Sequence, residues 1–266
     1  MKDLGITPRP SADLAQEGEA RREHPAPPWR RIGLIGGIGW PSTRDYYERL
    51  NRAAAECRGG LASADLVVRS LDFARVLDAA ETPGGVEAML SQAARELLAA
   101  GAEVIGLCSN TGHLFSQPLR TAEFPGFIAL DGALAQRLAD NGVGEAWLLG
   151  VQRTLEHPLL RDALAARGIR SFIPEAPLRR QLDEAIFAEL ERGEVGLLTR
   201  DALASIEAEL QSRGARDVVL ACTELPMALA DRPWPFRCWD TVEIHCQALI
   251  AAASRVAEEP ACGTPT

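Results

Sequence analysis

Short apolar runs alternate with longer amphipathic stretches over most of this chain. The apolar runs have the length and unbroken apolarity of strands that are buried on both faces. We expect these strands at 31–35, 65–73, 103–107, 127–130, 145–150, 169–173 and 218–221. The amphipathic stretches predict helices, at 43–56, 86–100, 131–140, 155–167, 178–191, 199–213 and 241–257. Strands that alternate with helices in this way predict an α/β fold with parallel sheets.

The stretch VVLACTELPM at 218–227 combines such a strand with candidate chemistry. Cys222 and Thr223 directly follow the strand, and the next residues, ELP, have the composition of a helix start. Open α/β sheets bind ligands at the carboxyl ends of their strands, and a helix N-terminus stabilises a thiolate. Cys222 is therefore a candidate catalytic thiol, and the alternative is that it only fills space behind the strand.

A second stretch of the same kind, VIGLCSNTGH at 104–113, also follows an apolar strand with a cysteine and small polar residues. The spacing between Cys108 and Cys222 also separates IGLIG at 32–36 from AWLLG at 146–150. A spacing shared by two strand signals indicates an internal repeat of about one domain's length. On this pattern each half brings one polar turn to a common cleft, and Cys108 is the partner of Cys222.

The length and net charge of the chain limit the kinds of molecule that it is expected to bind. The chain of 266 residues is long enough for one large or two medium α/β domains. A net charge of -9 without a basic stripe argues against nucleic acid, and no apolar run approaches the ~18 residues of a membrane span. Residues 1–30 lack the apolar core of a signal peptide and predict a flexible extension, and 259–266 predict a disordered tail. A small-molecule substrate is the better expectation.

Neither the cysteines nor the histidines have the spacing of a metal site. The six cysteines also lack the density of a disulfide scaffold, which together with the missing signal peptide predicts a cytoplasmic protein. The glycines at 33, 36, 37 and 39 do not have the spacing of a dinucleotide fingerprint, and Pro41 interrupts the helix that would follow. We therefore expect no cofactor, and a glycine-rich turn that lets backbone amides approach a small anion.

The motifs GLIGGIGWPST with YY, RGGLASADL, SLDF, LCSNTGH, VVLACTELPM and WDTVEIH, in this order, resemble the aspartate/glutamate racemase family. The similarity is greatest to its broad-specificity amino-acid racemase branch. The resemblance implies two Rossmann-like αβα lobes, related by a pseudo-twofold axis, with the active site in the cleft between them. On this interpretation the first lobe comprises 31–127 with 230–258, and the second comprises 128–229. The resemblance also implies a homodimer and no cofactor.

The activity that the resemblance implies is inversion of the α-carbon of an acidic amino acid, aspartate or glutamate. Inversion removes the α-proton from one face and returns a proton to the other, so a base and an acid are needed on opposite sides. In the family these are normally two cysteines, one from each lobe. A thiol suits both roles because a helix N-terminus can lower its pKa. Cys222 matches one of the two positions.

The other position departs from the family pattern. The motif places the first catalytic residue directly before Asn110 and Thr111, where this chain has Ser109. The internal repeat instead pairs Cys108 with Cys222. Neighbouring side chains of a strand point to opposite sides, so only one of the two candidates can face the cleft. We favour Ser109, because one inserted residue in either turn would break the spacing of the repeat. A hydroxyl is a far weaker base than a thiolate, so the two proton transfers should be unequal.

Further candidates carry over from the same motifs. The resemblance implies that amides and hydroxyls of the two turns and the glycine-rich loop bind the substrate, at Asn110, Thr111, Thr223, Gly37, Ile38, Trp40, Ser42 and Thr43. Glu224 is placed to tune Cys222 or relay its proton. His113 matches a motif position, although a lone histidine is often structural. Ala62 and Val151 stand where the branch often has histidine and threonine, which leaves the substrate open.

Two other functions remain open. Cys222 alone could support a cofactor-free decarboxylase or isomerase of a malonate-type acid, or the chain could be a small-acid binding protein that has lost turnover. A racemase should exchange the substrate α-proton with solvent, a decarboxylase should release carbon dioxide, and a binding protein should do neither.

Overall fold

Two separate parallel sheets form the framework of the molecule in a computed structural model, which describes residues 29–230 and 234–254. The first sheet has the order β2-β1-β3 and consists of β1 (Ile32–Gly36), β2 (Leu66–Ser70) and β3 (Val104–Leu107). The second has the order β5-β4-β6-β7 and consists of β4 (Glu145–Leu149), β5 (Arg170–Phe172), β6 (Asp217–Leu220) and β7 (Arg237–Asp240). The predicted extension, apart from its last two residues, and the predicted tail at 259–266 lie outside the described residues.

Helices connect and cover the strands. They are α1 (Trp40–Arg58), α2 (Phe73–Ala80), α3 (Gly85–Ala99), α4 (Leu130–Asp140), α5 (Gln152–Glu156), α6 (Pro158–Ala165), α7 (Ala176–Ala188), α8 (Leu197–Ser212), α9 (Leu225–Leu229) and α10 (Thr241–Ser254). Short 3₁₀ turns cover Thr111–Phe115, Gln117–Leu119 and Leu190–Arg192. None of the helices in the described part of the chain has the length and apolar character that a membrane span requires.

Each sheet lies between two layers of helices. In the first sheet Ile35 packs toward α3, and its neighbour Leu34 packs toward α1 and α10. In the second sheet Leu149 packs toward α7 and α8, and Leu148 packs toward α4 and α6. Because successive side chains of a strand point to opposite faces, both faces of these strands are buried, which explains their unbroken apolar sequences. The predicted α/β fold with parallel sheets is confirmed.

The two sheets share one strand order, which agrees with the internal repeat. β1 and β4 are central, β2 and β5 lie on one side of them, and β3 and β6 lie on the other. The second sheet has one strand more, since β7 pairs with β6. The turns after β3 and β6 therefore lie at corresponding places in the two sheets.

The C-terminal segment connects the two halves. β7 is hydrogen-bonded to β6, with Cys238 opposite Val218, so the predicted assignment of all of 230–258 to the first lobe is incorrect for this strand. α10 packs against both α1 and α4, and its Val242 and Leu249 enter the core beside the first sheet. The strand was missed because the sequence RCWD is short, contains two charged residues and lies at the exposed edge of the sheet.

Pro41 begins a helix and does not interrupt one. α1 starts at Trp40, ahead of the predicted 43–56, and Pro41 lies in its first turn. Proline is tolerated there because the first N–H groups of a helix have no partner within the helix.

Two other predictions failed for local reasons. The predicted strand at 65–73 ends at Ser70, and α2 begins where the carboxylate of Asp72 accepts a hydrogen bond from the Ala74 N–H at 3.1 Å. The predicted strand at 127–130 forms a single bridge, from Phe127 to β3, before α4 begins. Asp72 is a helix N-cap that the apolar pattern around it obscured.

Candidate active site

A cavity lies between the carboxyl ends of the two sheets, the edge at which parallel sheets bind ligands. The turns after β1, β3, β4 and β6 form its floor and contribute Ile38, Gly39, Ser42, Ser109, Asn110, Thr111, Gly112, Val151, Cys222, Thr223 and Glu224. The cavity thus brings together most of the site residues that the sequence predicts. In the described part of the chain, no three His, Cys, Asp or Glu side chains are grouped so that they could hold a metal ion.

Backbone hydrogen bonds show which residues of the two turns are equivalent. In the first sheet the N–H of Cys108 donates to the carbonyl of Ile35 at 2.9 Å. In the second sheet the N–H of Ala221 donates to the carbonyl of Leu149 at 2.6 Å. Both acceptors are the residue before the glycine that follows the apolar run of the central strand. Cys108 therefore corresponds to Ala221, one residue before Cys222.

Ser109 and Cys222 consequently occupy equivalent positions. Both line the cavity, and each is 6% exposed. Cys108 is fully buried in the core with Tyr46 and Val242, and it does not line the cavity. Burial raises the pKa of the Cys108 thiol. The repeat spacing that pairs Cys108 with Cys222 is thus one residue out of register, and the geometry favours Ser109.

The thiol of Cys222 donates a hydrogen bond to Oε2 of Glu224, with 2.9 Å between sulfur and oxygen. Burial and the negative charge of Glu224 raise the pKa of Cys222 well above its ordinary value. The lowering expected from a helix N-terminus is therefore not found, and α9, which begins only after Glu224, has five residues. The site holds a thiol beside a carboxylate that can accept its proton.

The hydroxyl of Ser109 has different partners. It accepts a hydrogen bond from the N–H of Gly112 at 3.0 Å, and the Ser109 carbonyl accepts one from Nδ1 of His113 at 2.7 Å. Within the described residues no carboxylate is hydrogen-bonded to this hydroxyl. Cys222 therefore has a proton acceptor that Ser109 lacks.

His113 lies behind the Ser109 turn and not in the cavity. It is 1% exposed, and its Nε2 accepts from the N–H of Leu130 at 3.3 Å. The neighbouring His245 accepts from the Tyr46 hydroxyl at 2.8 Å, with 5.3 Å between the two imidazole centroids. Burial lowers the pKa of His113 to about 4 and that of His245 to about 3. Both are neutral near pH 7 and support the turn from behind.

Hydroxyl pairs join the two halves across the floor of the cavity. The hydroxyls of Ser42 and Thr223 are hydrogen-bonded at 2.8 Å, and those of Thr111 and Thr154 at 2.9 Å. Each pair takes one residue from the first half and one from the second. The turns after β3 and β6 are thus each hydrogen-bonded to the opposite half of the molecule.

Asn110 carries the clearest sign of a missing ligand. Its Nδ2 donates to the hydroxyl of Thr241 at 3.1 Å, whereas its buried Oδ1 has no hydrogen-bond partner. Buried amide oxygens are nearly always satisfied. Because Asn110 lines the cavity, a donor group of a bound molecule would complete its hydrogen bonding.

The glycine-rich loop after β1 borders the cavity. Gly37 has φ 88°, and a Cβ there would lie 2.0 Å from the carbonyl oxygen of Leu71, so the position requires glycine. Its N–H donates to the Thr43 hydroxyl at 2.8 Å. Ile38 lines the cavity, whereas Trp40 is 66% exposed and lines an adjoining crevice. Gly37 and Thr43 shape the loop, and their predicted contact with substrate stays a prediction.

The sequence analysis missed much of the cavity wall. Charged and apolar residues from α2, α3, α5, α7 and two 3₁₀ turns complete the lining, at Phe73, Val76, Leu77, Ala80, Val86, Phe115, Arg153, Asp183, Phe187 and Glu191. Apart from Phe73, the last residue of the SLDF motif, these residues lie outside the quoted motifs. α2 was not predicted at all, and an amphipathic pattern does not show which end of a helix faces a cleft.

Comparison with known proteins shows which family has this architecture. Residues 35–249 match the family model described as Asp/Glu/Hydantoin racemase. The chain belongs to this racemase family.

Solved structures of similar proteins agree with the assignment of this racemase-family chain. A putative Asp/Glu racemase from Yersinia pestis is 30% identical, with a TM-score of 0.78, and the match covers 85% of this chain and 100% of that one. An aspartate racemase homologue from Pyrococcus horikoshii is 29% identical, with a TM-score of 0.76 and the same coverage. Picrophilus torridus aspartate racemase, 21% identical, covers 84% of this chain and 94% of its own with a TM-score of 0.65, and shows the shared fold.

Family membership confirms the resemblance and the reaction class. The racemase family acts on small molecules, and its chemistry needs acid–base groups on two faces of a carbon atom. In this racemase-family protein the residues at the two equivalent strand ends are Ser109 and Cys222. The roles of these residues, the substrate, the cytoplasmic location and the homodimer stay predictions.

Proposed function

We propose that this protein is a cofactor-independent amino-acid racemase in which Cys222 and Ser109 serve opposite faces of the α-carbon. The observation that carries the proposal is their equivalence. The two residues end corresponding strands of two sheets with one strand order, and both line the same cavity. A substrate carbon between them would have one group on each side.

The groups around Cys222 supply the base. In the proposed cycle the thiol passes its proton to Oε2 of Glu224, its hydrogen-bond acceptor at 2.9 Å. The resulting thiolate removes the α-proton, and the electron pair of the broken C–H bond delocalises into the substrate carboxylate. N–H groups and hydroxyls of the two turns would stabilise that charge. The Asn110 Oδ1, which lacks a partner, would accept from the α-ammonium.

The opposite face is served by Ser109. Its hydroxyl would donate a proton to the planar intermediate and become an alkoxide. Water would reprotonate the alkoxide, and the protonated Glu224 would return its proton to the resulting hydroxide, which restores both groups for the next turnover. A hydroxyl is a poor base without a carboxylate partner, so proton removal by Ser109 should limit the reverse direction. The equilibrium constant between enantiomers is one, so kcat/KM must be equal in the two directions. The asymmetry should therefore appear in kcat and KM separately, and in solvent exchange.

The sequence predicts aspartate or glutamate as the substrate, and the family name includes both. Among the described residues that line the cavity, Arg153 is the only one with a cationic side chain that could pair with a second carboxylate. The identity of the side chain is thus a separate question from the inversion itself.

The test of the proposal is α-deuteration and inversion of amino acids in heavy water, comparing Cys222→Ala with Cys108→Ala. Loss of a general acid–base group typically costs about 10²- to 10⁴-fold, so Cys222→Ala should fall by that factor. Cys108→Ala should stay within about threefold, because Cys108 lies in the core and outside the cavity. Exchange that persists in Cys222→Ala, or is lost in Cys108→Ala, would contradict the proposal. Carbon dioxide release from a malonate-type acid without amino-acid exchange would favour a single-cysteine decarboxylase.

A further inference from the structure

One wall of the cavity is apolar and partly open. Its members are Phe73, Val76 and Leu77 of α2, Phe115 of the turn after β3, and Phe187 of α7; we call these the apolar wall. Phe73, Leu77 and Phe187 are 41%, 56% and 57% exposed. Large exposed apolar side chains grouped around a cleft typically mark a surface that a ligand covers.

The charged groups of the same cavity are mostly negative. In the described part of the chain three carboxylates line it, those of Asp183, Glu191 and Glu224, against one cationic side chain, that of Arg153. The guanidinium of Arg153 lies over the ring of Phe115, with its central carbon 5.4 Å from the ring centroid. A carboxylate on the substrate side chain would therefore meet more like charge than opposite charge.

Two of these carboxylates already have hydrogen-bond donors. Glu224 accepts from the Cys222 thiol, and Asp183 accepts from the backbone N–H of Gln152 at 2.8 Å. Glu191 has no hydrogen bond or ion pair to any described residue. It lies beside the glycine-rich loop, since a Cβ on Gly39 would be 3.7 Å from its Oε2.

Glu191 is therefore a negative group that the protein does not neutralise. Burial and the charge of Glu224 raise its pKa, and a substrate carboxylate placed beside Glu191 would lie near the same two carboxylates. Glu191 also lines a second crevice together with Arg44, Arg49 and Arg192, but none of these three arginines lines the cavity or forms an ion pair with Glu191.

We propose that the substrate of this racemase carries an apolar side chain that lies on the apolar wall, and that Glu191 excludes aspartate and glutamate. The inference rests on the proposed function, because it assigns the side-chain subsite of the same cavity. It differs from the acidic substrate that the family resemblance implies.

The first test compares substrates. Leucine and methionine should show α-proton exchange in heavy water with kcat/KM at least about 100-fold above that for aspartate and glutamate, because juxtaposed like charges are strongly unfavourable. Exchange that is fastest with aspartate or glutamate, or with lysine, would overturn the inference while leaving racemisation established. Exchange with none of these amino acids would contradict the proposed function.

Binding gives a readout that does not need turnover. Calorimetric titration of the full chain with leucine and with aspartate should show leucine binding at least about tenfold tighter. Equal binding, tighter aspartate binding, or no leucine binding would overturn the inference even if no amino acid is racemised.

A charge reversal isolates Glu191. Glu191→Lys should raise the ratio of kcat/KM for aspartate to kcat/KM for leucine by about tenfold or more, because it replaces repulsion with attraction at the side-chain subsite. The ratio is the quantity compared, because the charge of Glu191 also contributes to the raised pKa of Cys222 and so affects both substrates. The matched control is Glu184→Lys, because Glu184 is an exposed residue of α7 outside the cavity lining. This variant should change kcat/KM for neither aspartate nor leucine. An equal effect of the two variants on aspartate would show a general charge effect and would overturn the role of Glu191.

Discussion

The turns after β3 and β6 occupy corresponding places in two sheets of one strand order, yet they present different chemistry to the shared cavity. The turn after β6 holds a thiol that donates to a carboxylate two residues later, at Glu224. The turn after β3 holds the hydroxyl of Ser109. The residue two positions later is Thr111, whose hydroxyl is hydrogen-bonded to that of Thr154 in the other half. One turn is equipped to move a proton, and the other is equipped mainly to keep its shape.

This difference separates what the fold determines from what the side chains determine. The repeated sheet places two groups on opposite sides of a ligand, whatever those groups are. Their acid–base strengths depend on single residues, Cys222 with Glu224 on one side and Ser109 on the other. A symmetric scaffold can thus carry an asymmetric reaction, and substitutions within the turns should change the asymmetry without altering the fold.

The largest expected effect comes from making the two turns alike. Ser109→Cys places a thiol on both faces and should raise kcat/KM for racemisation by about 100-fold in both directions, since it restores an effective acid–base group. The kcat values for the two enantiomers should also approach each other. Two reactions, one started from each pure enantiomer and followed by the circular dichroism of the amino acid, give the rates in the two directions. No gain, with Cys222 still required, would show that Ser109 does not face the α-carbon.

A smaller effect is expected from removing the acceptor beside Cys222. Glu224→Gln takes away a negative charge that raises the pKa of Cys222, so this pKa should fall. Alkylation of Cys222 by iodoacetamide, followed on its peptide by mass spectrometry, should then reach its half-maximal rate at lower pH. Racemisation should decrease about tenfold or more, because the proton acceptor is lost.

A lower pKa of Cys222 together with slower racemisation distinguishes a proton relay by Glu224 from a purely structural role. A variant that only disturbs packing would slow racemisation without lowering the pH at which Cys222 is alkylated. Glu184→Gln, which removes a charge at an exposed site outside the cavity, is the control and should change neither rate. An unchanged or upward-shifted alkylation profile in Glu224→Gln would contradict the assigned contact.

The fold was predictable where apolar strands are buried on both faces. Runs such as VIGL at 104–107 and VVL at 218–220 carry a signal that depends on composition alone. The exposed edge strand β7 has no such signal, and α2 begins at the capping carboxylate of Asp72, which lies inside the run predicted as a strand. Tertiary contacts, which a local pattern does not contain, decided the placement of α10 between the two halves.

The floor of the site was more predictable than its wall. Cys222, Ser109 and their neighbours lie in continuous motifs at strand ends, where topology forces them to converge. The choice between Ser109 and Cys108 required the hydrogen-bond register of both sheets, which differs by one residue from the repeat in the sequence. Glu191 and the apolar wall come from separate helices and turns, so no local spacing identifies them.

The central claim, that Cys222 and Ser109 act on opposite faces, is tested most directly by Ser109→Ala in heavy water with each enantiomer of a racemised amino acid. We predict one-sided exchange. The enantiomer whose α-proton faces Cys222 should still gain deuterium with retention of configuration, while the other enantiomer should neither exchange nor invert. Continued inversion, or equal loss of exchange from both enantiomers, would contradict the claim.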